Sequence, residues 1–155
     1  VHTALPAIAA ALLITQPAHA APAQAPPSAI FQQFGLQGTW SLDCSRGPTP
    51  DNPYVTWEVT PAGTVAHAIT FNGESASQAD TVSDAAIIDD NLISFTLDTA
   101  SGVGFIVTVE RAGGKMRTVR SVSTSGIVYY DNGRNLTSGR DSVFYERCNA
   151  VPPIS

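Results

Sequence analysis

Bases are almost missing from the first 110 residues, where Arg46 is the only one. Between Asp43 and Glu110 it faces ten acids, a net charge of −9, and the whole 155-residue chain carries −5. A protein this acidic lacks the basic footprint that general nucleic-acid binding needs. Histidine and cysteine are scarce as well: of three His, His2 and His19 lie within the first twenty residues, and there are two Cys. That set cannot build a four-ligand zinc site without carboxylates, so no metal or other cofactor is expected. Asp89-Asp90-Asn91 lacks the alternating acids and downstream Glu of a calcium loop and reads as a turn. There is no Gly-x-Ser-x-Gly elbow, and pairing of the two Cys would leave no thiol nucleophile beside His67. No catalytic residue is therefore expected, and the chain reads as a non-enzyme. No apolar run reaches the roughly 20 residues of a membrane-spanning helix, so no membrane span is expected.

What is present begins with an address. Ala4 to Thr15 is an apolar run holding Leu5, Ile8, Leu12, Leu13 and Ile14, and Ala18-His19-Ala20 supplies a small-x-small cleavage pattern. Residues 1–20 thus read as a secretory signal. Only His2 precedes the run, and Val1 suggests a start that uses an alternative codon or lies upstream. No Cys follows the expected cut ahead of Ala21, so no lipid anchor is expected there. Residues 21–28 form a Pro/Ala-rich tether, residues 29–149 the folded domain and residues 150–155 a tail. The expected location is periplasmic or secreted, in a bacterium. Thiols are oxidised there, so Cys44 and Cys148 are expected to pair. The cross-link would close a loop of about 104 residues and stabilise by about 4.7 kcal/mol in the chain-entropy picture.

Punctuation from residue 38 onward is that of an all-β chain. Strand-like runs are Thr39–Cys44, Tyr54–Thr60, Thr64–Phe71, Gln78–Ile88, Leu92–Thr99, Val103–Arg111, Lys115–Ser123, Ile127–Tyr130 and Ser142–Cys148. The Gly, Asn and Asp residues between them are those that hairpin turns require where φ is positive. Alternation marks half-buried strands: Ile93, Phe95 and Leu97 share one face, as do Val55, Trp57 and Val59, and Phe105, Val107 and Val109, although Ile106 interrupts the last. Gln78–Ile88 is weakly apolar, and its first half reads as an edge or a loop. Ile30, Phe31, Phe34 and Leu36 suit a short helix over 29–36 that plugs one end. Short hairpin connections throughout predict a small antiparallel up-and-down β-barrel of about eight strands with a short N-terminal helical segment.

Several residues are candidates for chemistry, each with a plainer reading beside it. Arg111, Lys115, Arg117, Arg120, Arg134 and Arg140 form the main basic concentration and could hold an anion through charge-assisted hydrogen bonds. The alternative is cross-strand pairing with acids, worth little at a surface. In a regular strand Arg117 and Arg120 fall on opposite faces. The Pro48-x-Pro50-Asp51-Asn52-Pro53 loop either presents a rigid surface to a partner or fixes a long connection. His67 shares a face with Val65, Ile69 and Phe71 and reads as a core residue. Tyr129, Tyr130 and Asp131 mark a strand end, and Asn135-Leu136-Thr137 a formal glycosylation acceptor that means little in a bacterium.

Gly38-Thr39-Trp40, opening the first strand of a small exported meander, resembles the calycins, the group that includes lipocalins and avidins. The resemblance implies a barrel closed at one end by a Gly-x-Trp strand after a short helical lead-in, with an Arg from the last strand across the Trp. Arg147 is the positional candidate. Disulfide-bonded residues on neighbouring strands share a face, because their Cβ atoms lie about 4 Å apart. With Trp40, Leu42 and Cys44 on one face, and Cys148, Glu146 and Phe144 on theirs, regular strands would turn Arg147 away from Trp40. The run Phe34-Gly35-Leu36-x-Gly38-Thr39-Trp40-x-x-Asp43-Cys44, followed by Pro48-x-Pro50-x-Asn52-Pro53, Arg117, Arg120-Ser121, Gly126, Asp131-x-Gly133 and Glu146-Arg147-Cys148, is similar to that of a group of small exported bacterial barrels. That likeness implies a shared fold and export, and no mechanism.

These readings converge on an exported, monomeric binding module. A small apolar or anionic ligand would sit in the barrel, near Trp40, Trp57, Phe95, Phe105, Arg117 and Arg120. The alternative is a periplasmic interaction or inhibitor barrel that meets a protein partner through its loops. A carrier requires a cavity of roughly 300 Å³ or more; a packed interior would favour the alternative.

Overall fold

The computed structural model describes residues 25–72, 74–75 and 80–149; the expected signal (1–20), most of the tether and the tail (150–155) lie outside them. Helix α1 spans Pro27–Phe34. It starts two residues earlier than the apolar spacing suggests, with proline near its first turn, where the missing N–H would have no partner anyway. Gly35 ends it at φ 75°, and its N–H donates to the Phe31 and Gln32 carbonyls. Eleven strands follow: β1 Gly38–Ser41, β2 Tyr54–Val59, β3 Val65–Phe71, β4 Glu74–Ser75, β5 Asp80–Asp89, β6 Leu92–Asp98, β7 Gly104–Ala112, β8 Lys115–Ser123, β9 Val128–Asp131, β10 Arg134–Asn135 and β11 Tyr145–Cys148.

Eight of them close a ring in the order β1-β2-β3-β5-β6-β7-β8-β11 and back to β1, every pair antiparallel. This is the expected up-and-down barrel. Closure leaves no edge strand in the ring. The two-residue β4 folds back on the end of β3, and β9 with β10 forms a side arm on β8. Strand β8 changes partner along its length. Lys115 and Met116 pair with β11, whereas Ser121 and Val122 pair with β9.

The core occupies the helix end of the barrel. Phe31 and Phe34 of α1 enter it; Phe31 lies 5.4 Å from the Trp57 ring and 5.1 Å from Phe95, and Trp57 lies 5.0 Å from Phe95 in an edge-on arrangement. Such aromatic pairs contribute about 0.5–1.5 kcal/mol each beyond their buried area. Ile93, Val65, Val82, Ala85 and Leu97 complete the packing.

Bulges decide which residues join that core. An extra residue on β5 between Val82 and Asp84 puts Ala85 and Ile87 on the same inner face as Val82, opposite Phe95, Ile93 and Leu97, and a second one follows between Ile87 and Asp89. The weak alternation of this stretch is the imprint of those insertions. A third irregularity lies in β8, where Thr108 faces Arg120 and Val109 faces Thr118, leaving Val119 over. It overturns the expectation that Arg117 and Arg120 diverge. Arg117 opposes Glu110 and Arg120 opposes Thr108, so both belong to the outer face.

The cysteines pair as expected, with Cα atoms 5.3 Å apart, but not by the expected route. Strand β1 stops at Ser41, and the chain bends at Leu42 before Cys44. Cys148 faces Thr39 in the ladder, on the outer side, and Cys44 folds back over β11, its N–H donating to Glu146 Oε1 at 3.3 Å. Because Cys44 is outside the strand, its parity says nothing about Trp40. Trp40 and Arg147 are direct cross-strand partners, and the Arg147 guanidinium carbon lies 6.0 Å from the Trp40 ring centroid. The expectation that Arg147 turns away is thus wrong.

The proline-bounded connection is tied down from within. Asn52 is fully buried; its Oδ1 accepts from Ser41 Oγ at 2.8 Å and from the Asp43 N–H at 2.9 Å, and its Nδ2 donates to the Asp43 and Gly47 carbonyls at 3.0 and 3.2 Å. Tyr54 adds a hydrogen bond from its hydroxyl to the Arg46 carbonyl. One amide thus satisfies four groups that burial would otherwise leave unpaired.

Candidate functional site

Part of the barrel interior is left unfilled. A cavity of about 230 Å³ lies between β2, β3, β6, β7 and β8, walled by Val55, Ile69, Leu97, Val107, Val109 and Met116. Trp57 and His67 also border it, and so do Thr118, Ser121, Tyr130 and Tyr145. Inward alternation supplies the apolar walls. The bulge in β8 keeps Thr118 and Ser121 on the same inner side. Where β8 passes from β11 to β9, Arg117, Tyr130 and Tyr145 line the cavity at the barrel wall.

His67 is the most buried titratable side chain among the described residues that line this space. It is 7 % exposed, its ring lies 4.2 Å from that of Trp57, and Nδ1 is 3.3 Å from Asp80 Oδ2 on the neighbouring strand. An ionised carboxylate only accepts, so Nδ1 carries the proton and Nε2 keeps its lone pair. Burial pushes the imidazole below its ordinary value; the hydrogen bond and charge of Asp80 oppose that push without overcoming it. His67 is therefore a neutral, carboxylate-oriented core residue at pH 7. No hydroxyl hydrogen-bonds it among the described residues, so the geometry of an activated nucleophile is incomplete. Burial, and next the charge of Tyr130, raise the Tyr145 phenol and keep it a donor. Among the described residues the buried indole N–H of Trp57 has no hydrogen-bond partner.

The sequence candidates separate. Trp57 and Arg117 line the cavity. Phe95 is packed in the core below it. Trp40 is buried at the helix end, where its indole N–H donates to the Leu36 carbonyl at 2.9 Å. Phe105 is half-buried and meets Tyr129 edge-on at 5.7 Å. Arg120 donates to Asp131 at 2.6 Å on the surface, and Arg117 donates to Glu110 at 2.6 Å with its guanidinium carbon 4.7 Å from the Phe144 ring. These two arginines are thus engaged with acids, and no shared fork forms. His67, Tyr130 and Tyr145 are cavity residues that alternation alone did not single out as a group. Each belongs to a different strand, so only barrel closure brings them together.

In comparisons with protein-family models, with curated proteins and with solved structures, nothing matches the chain. Among the described residues no group of His, Cys, Asp and Glu could hold a metal ion, and no helix is long and apolar enough to cross a membrane.

Proposed function

We propose that the protein is an exported, periplasmic or secreted binding module that holds one small, mostly apolar ligand in the unfilled part of a calycin-like barrel, as a monomer and without catalysis. The observation that carries this reading is the cavity: apolar walls with a few convergent polar groups, the usual make-up of a small-molecule site. Its volume of about 230 Å³ falls short of the roughly 300 Å³ expected above of a carrier and of the range of about 300–1,000 Å³ typical of drug-sized ligands, so a carrier of that class is not what the cavity fits. The ligand is accordingly compact. Its polar end would face Tyr130 and Tyr145 at the wall, and its apolar end Trp57. The disulfide supports an oxidising compartment.

A Val107→Phe variant tests this. Adding four carbons to a packed core costs about 1–3 kcal/mol, but at this wall the ring has empty space to enter, so stability should change by less than about 1 kcal/mol. Native mass spectrometry of the protein isolated from its host should show a retained small molecule in the wild type and none in the variant. A bare wild-type mass together with a strongly destabilised variant would refute the reading. A second reading, action on a protein through the loops, is favoured by the internally braced connection around Asn52. It predicts a co-purifying protein that survives Val107→Phe.

A further inference from the structure

The helix end of the barrel carries a second feature, separate from the cavity. Arg111 near the end of β7 and Arg147 in β11 both line an open cleft of about 320 Å³, with Trp40, Asn91, Gly113 and Gly114. Each guanidinium is held from behind. The Arg111 carbon Cζ lies 5.0 Å from the Phe34 ring centroid and that of Arg147 6.0 Å from Trp40. Each also rests on a glycine: a Cβ on Gly35 would stand 2.5 Å from Arg111 Nη1, and one on Gly38 3.1 Å from Arg147 Nε. Arg147 spends one donor, Nη2, on the Gln37 carbonyl at 2.6 Å.

Neither side chain forms an ion pair within 4.0 Å among the described residues, in contrast to Arg117 and Arg120. Asp89 and Asp90 border a neighbouring cleft that shares Arg111, but they do not line this one. Two positive groups bordering one cleft repel, and an anion between them relieves the repulsion. A guanidinium offers five donors in a planar fork, which suits a carboxylate or phosphate edge. The turn at Gly113 and Gly114 presents no side chain to block entry, and a Cβ at either position would meet nothing within 4 Å.

We propose that this cleft binds a small oxyanion, a carboxylate or a phosphate, between Arg111 and Arg147. The test is an amide and arginine-Nε NMR titration of the disulfide-bonded protein with inorganic phosphate and, separately, with acetate, each against chloride at matched ionic strength. Saturable shifts at Asn91, Gly113, Gly114, Arg111 and Arg147 are expected, and the stronger of the two ions identifies the headgroup class. Arg111→Gln should weaken binding about tenfold, the loss of a charge-assisted pair, while leaving the amide spectrum of the barrel in place. Arg111→Lys keeps the charge but loses the fork, and should give an intermediate loss. Shifts that rise linearly without saturating, that chloride reproduces, or that are equal in Arg111→Gln and the wild type would overturn the proposal. Because the cleft and the cavity share no lining residue, Val107→Phe should leave the oxyanion titration unchanged.

Discussion

Replacing Cys44 and Cys148 together by serine removes a cross-link between residues 104 apart in sequence. In the chain-entropy model a loop of that length is worth about 4.7 kcal/mol, and removal of native disulfides typically costs about 2–5 kcal/mol. For roughly 120 ordered residues the unfolding entropy is about 0.25 kcal/mol per kelvin, so the larger figure lowers Tm by about 19 °C. The structure adds a local expectation. Strand β11 is held to β1 by three register pairs and to β8 by two. With the staple gone, this seam should open first. Urea unfolding of the oxidised protein and the double-serine variant measures the total, and hydrogen exchange measures where it acts, with β1 and β11 amides losing protection ahead of β6 and β7. A loss below about 1 kcal/mol with uniform exchange would refute the reasoning, because it would mean that the denatured chain already keeps its ends together.

His67 makes stability depend on pH. Its folded value lies below the unfolded imidazole value of about 6.5, because burial outweighs Asp80. The unfolded chain therefore takes up the proton first, and stability falls as pH drops below about 6.5 until the folded value is passed; above that window the group contributes no slope. Urea midpoints between pH 8 and pH 5 should show the decline, and His67→Gln should flatten it. A rise on acidification would mean that Asp80 prevails. Gly38 has φ 127°, outside the range of side-chain-bearing residues, and its α-carbon faces Arg147. Gly38→Ala should cost about 1–3 kcal/mol and lift Arg147 from Trp40, seen as a change in near-ultraviolet circular dichroism. Gly63→Ala, also at positive φ but with nothing near it, should leave that signal unchanged.

Much of the barrel is legible because its strands keep period-two alternation. The runs Tyr54–Thr60, Leu92–Thr99 and Val103–Arg111 appear in the fold as Tyr54–Val59, Leu92–Asp98 and Gly104–Ala112, each within a residue of where the pattern puts it. Reasoning from parity fails where the chain departs from regularity. One extra residue near Val119 reverses every later side chain of β8, and composition carries no mark of it. The bend at Leu42 releases Cys44 from the strand rule, and with it the inference about Arg147. Arg111 and Arg147 are far apart in sequence and come to one cleft because β8 pairs with β7 on one side and with β11 on the other.

The sequence by itself determined the kind of protein this is: a strand meander with hairpin turns, two cysteines to join its ends, and an apolar helix face to plug it. Local preferences suffice for that, since turn residues, alternation and helix caps act over a few positions. Tertiary structure alone decided which part of the barrel is filled. Phe31 from the helix, Trp57 from β2 and Phe95 from β6 meet in one part, and the smaller Val55, Val107 and Thr118 leave space in another. Whether a set of inward side chains fills a volume depends on the radius and stagger that closure imposes on all eight strands together. No single strand contains that information.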